Sequence, residues 1–547
     1  MEKTILIGGK AGQGTNVTSY FIGEVFSSSG YYVFNYRDYP SLIRGGHNYN
    51  VMKVSDKPVY SHSDKYDLIV ALDQDTIDKH VKGLKENGFI IGDKDLKTDK
   101  TFYPIDIQPI LKDLDAKPVI ENDVFIGWLF KYFGMSEEFL MKELEERFGG
   151  SKIDLIKKAA KIGYDLGKEE EKFEKLGDQK YFISGSKAVS TGAIASGIDV
   201  YVAYPMTPAT AILHHLAAKE KDHNILVIQL ESEISVANAA LGASFAGAKT
   251  MVGTSGGGFA LMGEAMSLAG MGEIPLVAYL AQRTGPASGV PTYTAQADLK
   301  FAVNIGHGEF TRIVVAPGDP QEAIIRTQEA FYLANKYRSL VILVSDKHLA
   351  ESDYTFDKLE KSSVSSDRFI VENPSDDHKG YKITEDGNSP RIVPGQGPIA
   401  KVTSYEHDEY GNTVEDAEWM NKMTDKRLKK EKTITAEIEK LNPISIYGEG
   451  KNLIVGWGST KGAILDALKG LEDYRFMQIS YINPFPTEMV KKELESSDKI
   501  ILIENNATGQ LGDIIAEKTG HIIKNKVLQY NARPFIPETI INKVKQF

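Results

Sequence analysis

ILVIQLESEISVANAALGASFAG (225–247) decides the fold. Its first six residues are an apolar run of buried-strand length, broken only by Gln229. Glu231, Ser232 and Glu233 break the run, and small apolar residues follow with helical spacing. Glu233, Val236, Ala237 and Ala240 fall on one helix face. A strand feeding a helix through a polar junction is the repeating unit of an open parallel sheet. The same grammar recurs on both sides, in DVYVAYP (199–205), KTMVGTS (249–255), PLVAYLAQ (275–282), TRIVVAP (311–317) and SLVILVSD (339–346). Each run ends in small or polar residues, where such a sheet presents its ligand crevice. Residues 185–350 therefore read as one α/β domain.

Similar units lie at either end. TILIGG (4–9), YYVFNY (31–36), YDLIVAL (66–72) and GFIIGD (88–93) alternate with helical patterns over residues 1–165. The charged stretch GKEEEKFEKLGDQK (167–180) lies in a linker, 166–184. Residues 351–442 turn polar and form a long connection carrying a basic helix at 421–432. NLIVGWGS (452–459), FMQISYI (476–482), KIILIEN (499–505) and VLQY (527–530) mark a third unit, 443–547. The expected fold class is α/β, with three doubly wound parallel-sheet domains.

The bulk numbers agree. A chain of 547 residues exceeds one core, since cores stop growing at roughly 250–300 residues. No apolar run is long enough to span a membrane. MEKTILIGGKAGQG enters a strand at once, without the regions of a signal peptide, so a cytoplasmic location is expected. Cysteine is absent, which excludes disulfides, thiolate nucleophiles and an iron–sulfur cluster ligated by this chain. The 11 histidines lack metal-ligand spacing, and no residue is assigned to a metal. A formal charge of −11 argues against nucleic acid as a partner.

Four strings carry chemistry, each with an ordinary alternative. YPMTPAT (204–210) sets Thr207 between two prolines, which stiffen the turn and leave the hydroxyl for a ligand oxygen; it could equally cap the next helix. Glu233 would be a desolvated acid suited to a heterocycle nitrogen. Glu231 fits better as an acid favoured by the helix dipole. Gly256, Gly257 and Gly258 in TSGGGFALMGE (254–264) permit close backbone approach. Arg283 in QRTGPASGVPT (282–292) suits bidentate carboxylate recognition, against the common fate of a surface ion pair. GGKAGQGT (8–15) opens a helix after a strand, yet Lys10 breaks the dinucleotide fingerprint and no GK[ST] ends it. It reads as a ligand or interface loop, or as a tight packing turn. RDYPSLIRGGHN (37–48) is polar and loop-like, with Arg44 beside two glycines.

Together with GHGEF (306–310), EDGNSPR (385–391), INPFP (482–486), ENNATGQL (504–511) and NARPFIP (531–537), these strings resemble the 2-oxoacid:ferredoxin oxidoreductases, with a γ subunit fused ahead of α. The resemblance implies a γ domain, a thiamine-diphosphate pyrimidine-binding-like domain and a transketolase C-terminal-like domain. It implies oxidative decarboxylation of a 2-oxoacid (2-oxoglutarate, a branched-chain oxoacid or pyruvate) to acyl-coenzyme A, with electrons passed to ferredoxin. A separate β subunit, in a heterodimer or a dimer of heterodimers, would hold the diphosphate, its magnesium and a [4Fe-4S] cluster. Glu233 would contact the aminopyrimidine nitrogen and promote the imino form. Thr207 and Arg283 would hold the substrate carboxylate, and Tyr204, Pro205 and Gly256 to Gly258 would line the cofactor. Two departures stand out: Gly257 replaces a frequent proline, and Lys187 a common acid. The rivals are an indolepyruvate oxidoreductase, whose large subunit usually ends in a cysteine-rich segment missing here, and a non-catalytic scaffold of the same fold.

Overall fold

Strands that are apolar along their whole length must be covered on both faces, and helices cover them here in three α/β layers. The computed structural model describes residues 2–42 and 45–547; Arg44 lies outside them. The chain forms two compact units. One comprises residues 1–183, 352–359 and 536–538, the other 184–351, 360–535 and 539–547.

The first unit holds an eight-stranded sheet in the order Phe102–Ile105, Leu84–Asp93, Tyr66–Ala71, Glu2–Ala11, Gly45–Ser55, Tyr32–Asp38, Asp353–Phe356, Tyr181–Ser184. The first four strands are parallel. From Glu2–Ala11 onward the ladder is antiparallel, through Gly45–Ser55 and Tyr32–Asp38 to Asp353–Phe356. This antiparallel half sits within the expected α/β fold, whose sheets are otherwise mostly parallel. Arg37 and Asp38 end one strand and Gly45 to Asn48 begin the next, so much of the loop-like RDYPSLIRGGHN is the arms of a hairpin. Antiparallel neighbours need only a short link, whereas parallel ones need a crossover.

Helices Glu121–Tyr132 and Ile153–Leu166 cross on this sheet through two glycines. A methyl on Gly127 would strike the carbonyl of Ala160, and one on Gly163 the carbonyl of Val124. Neither obstacle is a side chain that can swing away. Gly163→Ala is therefore expected to cost about 1–3 kcal/mol through overpacking, despite alanine's better helix propensity. An unfolding midpoint in urea that stays unchanged would refute the close crossing.

The second unit contains two sheets. One runs Tyr481–Asn483, Arg312–Val315, Leu340–Asp346, Leu276–Gln282, Thr250–Thr254, Val200–Ala203, Leu226–Gln229. It is parallel except for its first edge strand. The other runs Ile444–Tyr447, Tyr474–Ile479, Asn452–Gly456, Lys499–Glu504, Asn525–Leu528, again parallel beyond its first strand. One apolar cluster passes through both, joining Val252 and Leu280 to Trp457 and Leu502. Gln296 pins them together. Its Nε2 donates to Trp457 O (2.9 Å), its Oε1 accepts from Asn505 N (2.9 Å), and its backbone bonds Asn505 O (2.8 Å) and Asn506 Nδ2 (3.0 Å).

Between the two sheets in sequence, the polar segment is largely irregular until helix Ala417–Ile438. It is held by ionic and hydrogen-bonded anchors. Arg368 Nη2 meets Asp199 Oδ1 at 2.8 Å, and Arg391 Nη1 donates to Asn335 Oδ1 at 3.2 Å.

Candidate active site

Four adjacent parallel strands, Leu276–Gln282, Thr250–Thr254, Val200–Ala203 and Leu226–Gln229, bring their C-terminal ends side by side. From them emerge Arg283, the Ser255–Gly258 turn, the Tyr204–Thr207 turn and Glu233. Residues far apart in sequence thus line one rim, as the topology of a parallel sheet requires.

Glu233 is the first residue of helix Glu233–Phe245, behind the extended N-cap Ser232, whose Oγ accepts from Ser235 N (3.3 Å). It is 3% exposed, and its Oε1 has no hydrogen-bond partner. Leaving such a group buried and unpaired costs about 1–3 kcal/mol, so it marks a place where a donor from outside the chain is wanted. Glu231 behaves differently. It is exposed, accepts from Ser235 Oγ, and that bond lowers its carboxyl from the ordinary range.

Gly258 lies against this carboxyl. A Cβ there would come within 2.5 Å of Glu233 Oε1 and collide with Thr254 Oγ1. Gly256 is equally constrained, because a Cβ would meet the Asp298 carboxyl. Gly257 is exposed, with nothing within 4 Å of where its Cβ would stand. The three glycines thus differ: two are pressed against acids and the middle one faces outward. Since Gly257 sits in the first turn of helix Gly256–Leu261, even proline would suit that backbone position.

Arg283 Nη1 donates to Thr207 O at 3.0 Å, which joins the two residues expected to hold a carboxylate. The carbonyl of Thr207, rather than its hydroxyl, makes this bond. Partial burial lowers the guanidinium's proton affinity, which does not discharge it. Met206 places its sulfur against Ser255 Oγ and ties the Tyr204–Thr207 turn to the glycine turn. Tyr204 is exposed and Pro205 half-buried.

Sequence reasoning passed over Asp298. Burial raises its carboxyl pKa, and its N–H donates to Gln282 Oε1 at 2.8 Å, beside Arg283. Its position just before helix Leu299–Asn304 was the available signal.

Residues 191–426 match the sequence family described as pyruvate flavodoxin/ferredoxin oxidoreductase, thiamine diP-bdg, and residues 4–166 the family described as pyruvate ferredoxin/flavodoxin oxidoreductase. Across 99% of its length the chain is 32% identical to the 2-oxoacid:ferredoxin oxidoreductase subunit alpha of a Sulfolobus species, covering 96% of that protein. The chain belongs to the 2-oxoacid:ferredoxin oxidoreductase α-subunit family. Its Saccharolobus solfataricus relative, also a 2-oxoacid:ferredoxin oxidoreductase subunit alpha, is 32% identical over 100% of this chain and 98% of its own. Among solved structures, the 2-oxoglutarate:ferredoxin oxidoreductase of Magnetococcus marinus, with 2-oxoglutarate, coenzyme A and succinyl-CoA bound, superposes with a TM-score of 0.91 at 28% identity. It covers 100% of this chain and 99% of that one. Members of this α-subunit family are oxidoreductases, and the two family-matched regions, 4–166 and 191–426, lie on one polypeptide. No helix among the described residues is long and apolar enough to cross a membrane.

Proposed function

We propose that this chain is the γ–α subunit of a 2-oxoacid:ferredoxin oxidoreductase that decarboxylates a 2-oxoacid oxidatively to its acyl-coenzyme A and reduces ferredoxin. A separate β subunit completes the site. It holds the cofactor's diphosphate, its magnesium and a [4Fe-4S] cluster, in keeping with a chain that has no cysteine. The carrying observation is the buried, unpartnered Oε1 of Glu233 facing Gly258.

The residues fit a thiamine ring. Glu233 offers one unpaired carboxyl oxygen to a ring nitrogen, and glycines at 256 and 258 keep side chains out of the approach. When bound, thiamine diphosphate supplies the electron sink that decarboxylation needs and no side chain provides. Glu233 holds or shares a proton at Oε1. Arg283, with Thr207 beside it, orients the substrate carboxylate as a charge-assisted clamp. Tyr204, Ile234, Leu261 and Val290 expose large apolar side chains on the same strand-end segments, which suits coverage and drying by the β subunit. The chain operates in the cytoplasm.

Copurification with the β subunit, followed by coenzyme A-dependent dye reduction across 2-oxoacids, tests the proposal. Reduction with none of them would overturn it. In the same assay Arg283→Ala should raise KM about tenfold or more with a smaller change in kcat, as expected when uniform binding is lost. An unchanged KM for every active oxoacid would remove the clamp.

A further inference from the structure

Away from the strand-end rim, the second unit buries an unbalanced set of charges. Glu273 follows helix Gly263–Met271 and is 2% exposed. Its two carboxylate oxygens accept from Lys426 and Lys430 of helix Ala417–Ile438, and its backbone carbonyl accepts from Arg338 Nε at 3.1 Å. Arg391, also buried, donates to Ser244 O and Asn335 Oδ1 at 2.5 and 3.2 Å. Both arginines therefore bond neutral acceptors. Glu273 faces Lys426, Lys430 and Arg338, and Arg391, which feels Arg338, adds a fourth cation, so among the described residues one carboxylate is set against four positive charges.

The nearby acids do not make up the difference. Glu406 is taken bidentately by Arg427 at 2.9 and 2.6 Å, Glu409 by Lys379 at 2.7 Å, and Asp199 by Arg368 at 2.8 Å. The Tyr381 hydroxyl donates to backbone carbonyls of Gly272 and Lys401 at 3.3 and 3.0 Å. Proton loss is a poor remedy, because arginines stay charged. Burial pushes the Lys430 ammonium down to about 8, which still leaves it mostly protonated near neutrality. Burial, with Arg338 adding to it, takes Arg391 down to about 10. Uncompensated buried charge costs several kcal/mol per ion, so such a cluster calls for a counter-ion.

The cluster borders a cavity of about 30 Å³, lined by Arg338, Arg391, Glu273, Tyr381, Ile274 and Lys401 among others. That volume holds one or two water-sized species. Ile274 and Pro275 form an apolar side of it, which limits screening. We infer that this cavity binds a single halide-sized anion, of which chloride is the natural representative, between Arg338 and Arg391. The anion would fix the irregular segment carrying Gly380, Tyr381 and Arg391 onto the α/β layer.

The test uses the full chain with its β subunit. Crystals soaked in bromide should show an anomalous peak within hydrogen-bond reach of both guanidinium groups. Exchanging potassium gluconate for potassium chloride at constant ionic strength should raise the melting temperature by about 2–4 °C, by mass action on the folded state. Arg391→Gln should abolish that rise. If the variant does not fold, the bromide map of the unmodified protein decides. Bromide peaks confined to the surface, water density alone in the cavity, or equal melting in both salts would overturn the proposal.

Discussion

Replacing Glu233 with glutamine is expected to lower turnover of the reconstituted enzyme by about 10²-fold or more, the scale of a lost acid–base group. The amide keeps the size and most of the packing of the acid but gives up its exchangeable proton. The same substitution should leave the melting temperature unchanged or raise it. In the chain alone Oε1 has no partner, and a buried polar oxygen left unpaired is a burden to folding. The paired readout separates the two explanations for lost activity. A slow enzyme that melts normally supports a chemical role, and one that also melts early points to damaged packing. Near-normal turnover would remove Glu233 from the mechanism.

The second large effect concerns Glu273. Glu273→Gln strips from Lys426 and Lys430, both nearly inaccessible, the only carboxylate they meet among the described residues, and is expected to cost about 3–5 kcal/mol. Equilibrium unfolding in guanidinium checks it, and a loss below about 1 kcal/mol would mean that the lysines shed their protons or find other acceptors. The pH dependence has a definite sign. Burial alone would raise the Glu273 carboxyl, but Lys426, Lys430 and Arg338 outweigh it and hold the group well below the usual carboxylate range. Its contribution is therefore present above the unfolded pKa and is lost only as the medium becomes strongly acidic. Lys430 runs the other way. With a folded value of about 8 against 10.5 unfolded, its penalty is complete below pH 8 and fades as pH rises toward 10.5. A Lys430→Met variant should accordingly show its greatest relative gain below pH 8 and a shrinking one above.

The second sheet was legible because each of its six parallel strands is a short apolar run ending in small or polar residues. That pattern also exposed the rim, since strand ends in such a sheet are neighbours whatever their spacing in sequence. Thr207 and Arg283 meet for this reason although 76 positions separate them. The Gly45–Ser55 strand was hidden by its start, where glycines, His47 and Asn48 imitate a loop. The separate constraints on Gly256 and Gly258 were hidden too. A glycine triplet announces freedom, while the actual requirement is absence of a side chain against Asp298 and Glu233. The Glu273 cluster left no local trace, because its carboxylate and its lysines lie 153 and 157 positions apart and only the fold joins them.

Gln296 bears on where this polypeptide tolerates being cut. Every hydrogen-bonding group that it spends on Trp457, Asn505 and Asn506 would be orphaned in a fragment ending at residue 442, along with the apolar surface beneath. The boundary that composition draws there is no seam for dissection. Shortened versions meant to isolate the Glu233 rim must carry the C-terminal hundred residues with them, or supply them in trans as a complementing piece.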